Sequence, residues 1–377
     1  MKSTMAIGVS ALRTRKLMAV SLLGVAVAIA AAMVPLRAAV ATAGGSLLTG
    51  INTPSQESMN GSWSAELQQD SGKLWFSMTR RNSSGGNWQH QNEIMPEQFR
   101  GLTRDQMMSS GGPVKFELVR DAGTFACEGW FKGGNGAGTF TFSTNAAYAG
   151  EMAQRGYTDI PAEKYFSLAM IDLSLAFIDE MRAAGFDKLP LEKMIAFRIH
   201  GVSTKFIAAM RTAGYENLSA EKLLAFRIHG ISPDYVASLR AVGIDKLDED
   251  KLLAFKIHGI TPEFVAMFKG AGYEGLAEDK LLAFKIHGIS QEFLADLKSQ
   301  GYDRIPAGDL LSMRIHGADG AFSREIRAAG YDHPEVQQLI SMRIHGVNGA
   351  FIEKMKSRGT KVLDVDDLIR LKIHGID

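Results

Sequence analysis

Seven histidines come first, because their type and spacing could support chemistry. His200, His229, His258, His287, His316, His345 and His374 recur every 29 residues without insertion or deletion. Each sits in an Ile-His-Gly triplet, whose glycines are Gly201, Gly230, Gly259, Gly288, Gly317, Gly346 and Gly375. Imidazole is the commonest metal ligand, so such a ladder invites a metal site. The period argues against one. Packed helices lie roughly 8–10 Å apart, whereas a zinc–nitrogen bond is about 2.0–2.1 Å. Equivalent histidines in adjacent repeats therefore cannot share an ion, and no second ligand recurs beside them. The ladder predicts no metal and no cofactor. Two other roles remain. A histidine in the last turn of a helix is favoured by the dipole and can donate to open carbonyls, and this structural role is the preferred reading. A pH-sensing ladder is the sharper alternative, since free imidazole titrates near ~6.5.

A second column runs two residues ahead of the histidines: Arg198, Arg227, Lys256, Lys285, Arg314, Arg343 and Lys372. It can meet an acidic partner, or it can snorkel as a solvated edge over a buried helix; the edge is preferred. The remaining chemistry is sparse. Glu66, Asp70, Glu93, Glu97, Asp105, Glu117, Asp121 and Glu128 lie in one region, but no spacing pairs them and no Ser/His/acid set is legible. No catalytic residue is assigned. Gly133, Gly136 and Gly138 stand in a GGNGAG string that resembles a dinucleotide loop. That loop needs a strand before it and a helix after it; here a strand follows, so a hairpin turn is predicted. Trp88 and His90 could line a ligand face, though core or rim packing suits them better. The Ile286–Ser290 junction is similar to a helix-hairpin-helix loop, but it lacks the second turn glycine that brings backbone amides to phosphate. With 42 basic against 41 acidic residues, the chain has no large electrostatic footprint for nucleic acid.

The elements that carry these residues follow from two periods. From Asn145 onward the chain repeats every 29 residues, with a second ladder at Gly156, Gly185, Gly214, Gly243, Gly272, Gly301, Gly330 and Gly359. A fixed period of this length means stacked units rather than one globular core. In the unit Ile260–Gly288, Thr261-Pro262-Glu263 opens a helix and Gly272 ends it. A second helix starts near Ala277-Glu278-Asp279 and ends at Gly288. The first helix has one apolar stripe. The second is apolar over most of its circumference, which predicts burial between neighbours. The copy at 145–172 has Ile171-Asp172 in place of His-Gly and reads as a degenerate cap; seven full copies follow. The chain stops two residues after the last triplet, which predicts an apolar face on the last helix for a partner or a second copy.

Residues 61–144 switch to a period of two. Trp63, Ala65 and Leu67, then Leu74 to Met78, Val114, Phe116 and Leu118, Phe125, Cys127 and Phe131, and Phe140 with Phe142 predict five or six antiparallel strands. The stretch Met95–Ser110 is less regular, with room for one helical turn. Cys127 is the only cysteine, which excludes an internal disulfide and a multi-cysteine metal knuckle; it reads as a small core residue. Residues 44–60 are a Gly/Ser/Thr/Asn-rich linker. Ahead of it, Lys2, Arg13, Arg15 and Lys16 precede an uncharged run from Leu17 to Pro35 and a small-residue segment. This pattern over residues 1–43 predicts export, either by a signal cleaved near Ala43 or by a transmembrane anchor at 17–35. The remainder would lie outside the cytoplasm in both cases. Membrane contact is expected only through this segment.

The block GISPDYVASLRAVGIDKLDEDKLLAFKIHGI, residues 230–260, resembles the C-terminal repeats attached to some bacterial BlaR-type antibiotic-sensor metallopeptidases. It is also similar to stand-alone exported repeat proteins without a peptidase. FELVRDAGTFACEGWFKGGNGAGTFTFS, residues 116–143, is similar to the β-unit that often precedes those repeats. The resemblance implies a bacterial envelope protein with a part in sensing or signalling. It carries no catalysis, because the HExxH zinc signature is absent from this chain. The expectation is an α+β protein: a small antiparallel β-domain followed by an α-solenoid of 29-residue helical hairpins. Its function is a non-catalytic, extracytoplasmic interaction scaffold for an unknown protein partner or for self-association. A small-ligand binder or enzyme seated in the β-domain is the alternative.

Overall fold

The computed structural model describes residues 59–81, 87–359 and 363–376. The segment 1–43, where a signal or anchor is expected, and almost all of the linker lie outside the described residues. The chain is α+β: a curled antiparallel sheet followed by sixteen helices.

Seven strands form the sheet: β1 (Met59–Leu67), β2 (Leu74–Arg81), β3 (Asn87–Ile94), β4 (Phe99–Arg100), β5 (Gly112–Arg120), β6 (Gly123–Lys132) and β7 (Asn135–Thr144). Their order is β3-β2-β1-β7-β6-β5-β4. The two strands that no alternating apolar run marks have simple explanations. β3 lies at an edge and is polar apart from Trp88 and the buried Ile94, so it shows no alternating apolar run. β4 has only two residues. Between β4 and β5 a short helix, α1 (Arg104–Met108), is closed by a Thr103–Gln106 capping box.

The core is organised by Trp63. Its ring lies 5.1 Å from Phe116, 5.6 Å from Phe131 and 5.8 Å from Phe76. Its indole N–H donates to the carbonyls of Glu128, at 3.2 Å, and Thr139, at 3.1 Å. The indole fits because β6 and β7 have no side chain beneath it. A Cβ on Gly129 would stand 2.7 Å from the Trp63 ring, and one on Gly138 would stand 2.0 Å from the Glu128 carbonyl oxygen. The glycine-rich string therefore belongs to a hairpin: Lys132 pairs with Asn135, and Gly133 and Gly134 turn the chain with φ of 54° and 87°. Cys127 is buried, and burial pushes its thiol well above the ordinary range.

The helices that follow come in pairs. The first members are α2 (Ala146–Gln154), α4 (Leu175–Ala183), α6 (Thr204–Thr212), α8 (Pro233–Ala241), α10 (Pro262–Gly270), α12 (Gln291–Ser299), α14 (Gly320–Ala328) and α16 (Gly349–Ser357). The second members are α3 (Ala162–Met170), α5 (Leu191–His200), α7 (Ala220–Ile228), α9 (Glu249–Ile257), α11 (Glu278–Ile286), α13 (Ala307–His316), α15 (Val336–His345) and α17 (Val365–Ile373). From α4 to α16 each first helix begins at a capping side chain, Ser174, Ser203, Ser232, Thr261, Ser290, Asp319 or Asn348, which accepts a backbone N–H one turn on. Gly272 and Gly288 follow their helices with φ of 87° and 68°, the left-handed region that glycine enters without steric cost.

Neighbouring units are stitched at fixed offsets. Lys164 pairs with Glu192 at 2.8 Å and Lys193 with Glu221 at 3.0 Å; Lys222 pairs with Asp250 in the same way. The hydroxyls of Tyr157, Tyr215, Tyr302 and Tyr331 each donate to a backbone carbonyl 32 residues ahead. The sheet joins this stack through Phe166 on α3, whose ring lies 5.4–5.9 Å from Phe125, Phe140 and Phe142. The Asp121 carboxylate accepts the Leu175 N–H at 2.9 Å, and the Asn92 amide donates to the Met170 carbonyl at 3.0 Å.

Candidate functional site

The two repeating columns, basic residue and Ile-His, sit on the same helices and have opposite fates. The basic heads turn back onto the first helix of their own unit. Arg198 lies over Phe177, Arg227 over Phe206, Lys256 over Tyr235 and Lys285 over Phe264. Arg314 over Phe293, Arg343 over Phe322 and Lys372 over Phe351 continue the series, all at 4.3–5.4 Å from the ring centre. Three arginines add a hydrogen bond from Nε to a helix-end carbonyl of the previous unit: Arg198 to Ile171, Arg227 to His200 and Arg314 to His287, each at 3.0 Å. The donor that reaches an open carbonyl is thus the arginine of the next repeat. The first helices use the same device, with Arg240 donating to Ala213 at 2.7 Å and Lys356 to Ala329 at 2.7 Å.

The imidazoles themselves face outward. All seven ladder histidines are exposed, and among the described residues none of their side chains makes a hydrogen bond or ion pair. The isoleucine before each histidine is exposed as well: Ile199, Ile228, Ile257, Ile286, Ile315, Ile344 and Ile373 keep between 50% and 57% of their surface in water. This corrects the expectation that the second helix is buried around most of its circumference. Its buried positions are Leu252 and Phe255 in α9 and Leu281 and Phe284 in α11. Ile257 follows Phe255 by two residues, about 200° around a helix of 3.6 residues per turn, and so points away from the core. One turn earlier on this outer face lies another aliphatic residue, Leu224, Leu253, Leu282 or Leu311, partly buried. Seven steps of isoleucine and histidine thus line the row of second helices, backed by a row of partly covered leucines. Ile376 continues the exposed apolar surface beyond α17, at 45%.

The β-domain carboxylates are spread out. Glu93, Glu117 and Glu128 form ion pairs with Lys73, Arg100 and Lys115 at 2.8, 3.3 and 2.9 Å, and Asp121 is committed to the helix junction. His90 is half-buried on β3; the side chain of Trp88 lies outside the described residues. Sequence reasoning passed over Trp75 and Trp130, which are exposed on the outer face of the sheet. The signal was present: each alternates with a buried phenylalanine, so each had to face the other way.

Among the described residues no helix is long and apolar enough to cross a membrane, and no group of three or more His, Cys, Asp or Glu side chains is placed to hold a metal ion. No protein-family model, curated protein or solved structure matches the chain, so the resemblance drawn from the repeat block rests on that motif alone.

Proposed function

We propose that this protein is a non-catalytic, extracytoplasmic scaffold that docks a protein partner along the Ile-His column of its solenoid. One observation carries the reading. An isoleucine half in water returns seven times at one structural position, on the side of the second helix turned away from its buried residues. Burying half of an isoleucine seven times over, at roughly 25 cal/mol per Å2 of apolar surface, gives a partner a distributed hydrophobic footing without any single deep pocket. The histidines beside it can donate and accept hydrogen bonds at the rim of each step. The basic column supports the partner only indirectly, by fixing each helix end on its neighbour. The extracytoplasmic setting rests on the residues of the N-terminal segment and on the motif resemblance.

The test is a crosslinked pull-down from the native envelope with the full chain and with the triple variant Ile228→Ser, Ile257→Ser, Ile286→Ser. A dominant protein captured by the wild type and reduced tenfold or more by the variant, at unchanged melting temperature, is the expected result. Equal capture by both chains, or capture of nothing, would sink the scaffold reading. Fractionation of cells carrying the chain with and without residues 17–35 tests export separately; the same compartment for both would remove it.

A further inference from the structure

The outer face of the sheet carries a feature that the solenoid does not use. Trp75 and Trp130 leave 42% and 51% of their surface in water, although tryptophan is among the side chains with most apolar area to hide. Strand pairing sets them at opposite corners of one patch. Trp75, Glu66, Asn135 and Lys132 are successive Cα partners across β2, β1, β7 and β6. The adjacent row runs Gln91, Ser77, Ser64, Ala137 and Trp130. Ser77, Ser64 and Ala137 in the second row are small, and a groove of about 400 Å3 opens there, with Glu66, Gln91 and Asn135 on its walls. That volume falls in the range of small-molecule sites, roughly 300–1,000 Å3.

The lining selects the occupant. A protein hot spot has an apolar centre and a polar rim; here the aromatic rings stand at the ends and the hydroxyl, amide and carboxylate groups lie between them. A lipid surface calls for aliphatic residues with cations beside them, whereas this groove is lined by hydroxyl and amide side chains and the acidic Glu66, with Lys132 only at the end of its row. A sugar chain meets both demands. Its ring C–H faces are apolar and lie flat on an indole, while its hydroxyls each donate and accept, as amides and carboxylates require. Three strand spacings of about 4.8 Å put β2 and β6 roughly 14 Å apart across the sheet, which suits a short oligomer better than a single ring. The side chains of Glu66 and Gln91 make no hydrogen bond among the described residues, so both are open to a ligand.

We propose that this groove binds a neutral oligosaccharide, with Trp75 and Trp130 each stacked on a sugar ring and Glu66, Gln91 and Asn135 bonding the hydroxyls between. The site is separate from the Ile-His column and stands or falls without it. Full-length protein is titrated by calorimetry and by tryptophan fluorescence with two probes, cellohexaose and chitohexaose. Saturable binding of at least one is expected, weakened tenfold or more by Trp75→Ala and by Trp130→Ala and lost in the double variant. Gln91→Ala with Asn135→Ala gives an independent check that leaves both indoles in place, and it should weaken binding at least threefold. Failure of both hexasaccharides to bind overturns the proposal, as does affinity unchanged in the folded variants. Capture of anionic vesicles or of a protein in place of either sugar overturns it too.

Discussion

In the sheet, Trp63 touches Phe76, Phe116 and Phe131, residues on three other strands and up to 68 positions away. In the solenoid, Phe268 touches Phe264, Tyr273 and Phe284, none more than 16 positions distant. The difference is one of cooperativity. A core whose contacts span the whole domain is gained or lost together. A stack whose contacts reach only the next unit has a stability close to a sum of unit and interface terms. The two regions even divide the chromophores: all four tryptophans, at 63, 75, 88 and 130, fall in the sheet segment, and all eight tyrosines, from 148 to 331, fall among the helices. Tryptophan fluorescence therefore follows one region and tyrosine absorbance the other.

The strongest test of this contrast is a pair of large-to-small substitutions. Trp63→Ala should cost about 3–5 kcal/mol, the usual range for emptying an aromatic core site, and should destroy the fluorescence transition as a whole. Phe255→Ala removes a comparable ring from the middle of the stack, yet it should leave the fluorescence midpoint in place and split the far-ultraviolet circular dichroism transition in two. A single shared transition in the second variant would show that the regions unfold as one body and would break the comparison.

High pH should separate the regions next. Burial raises the phenol of every tyrosine in the stack, that of Tyr235 to about 12. The unfolded chain releases these protons near ~10, before the folded chain does. Their contribution is therefore complete below pH ~10 and declines as pH rises toward the folded values. Thermal melts by circular dichroism should lose stability from pH ~10 upward while the tryptophan transition moves less; an equal shift in both would remove the contrast. The smallest effect belongs to the cation stitch. Arg227→Met deletes the contact with Phe206 and the bond to the His200 carbonyl, and should cost about 1–2 kcal/mol. Arg227→Lys should cost less, since Lys256 stacks on Tyr235 at 4.3 Å. If lysine were as damaging as methionine, the carbonyl bond and not the stacking would carry the stitch.

Much of this architecture was legible in the chain, for reasons that differ by region. Helix limits in the stack could be read because capping residues and left-handed glycines recur with them: α10 begins at Pro262 and is closed by Gly272, as its residues demand. The sheet was less legible where a strand had few apolar residues to alternate, in β3, or lacked length, in β4. The columns were visible as columns, but not their directions. The run Leu-Leu-Ala-Phe-Lys-Ile reads as apolar on all sides, and only the angle from Phe255 to Ile257 turns the isoleucine outward. The ring beneath each basic residue lies 21 positions earlier, on another helix, where no local pattern points to it. Trp75 and Trp130 were hidden by the opposite error: each sits in an apolar run that looks like core until the alternation is followed residue by residue.

The unvarying period has a consequence for length. Recurring stitches of the stack join residues at offsets such as 27, 28 and 32, as Arg227 to His200, Lys222 to Asp250 and Tyr215 to Leu247. Excising 29 consecutive residues from the middle of the array therefore presents each severed group with a counterpart of the same position one unit along. The chain would shorten by one hairpin and one Ile-His step without leaving an open seam. The stack is a ruler marked in repeats, on which the distance between the sheet and any later step is set by copy number.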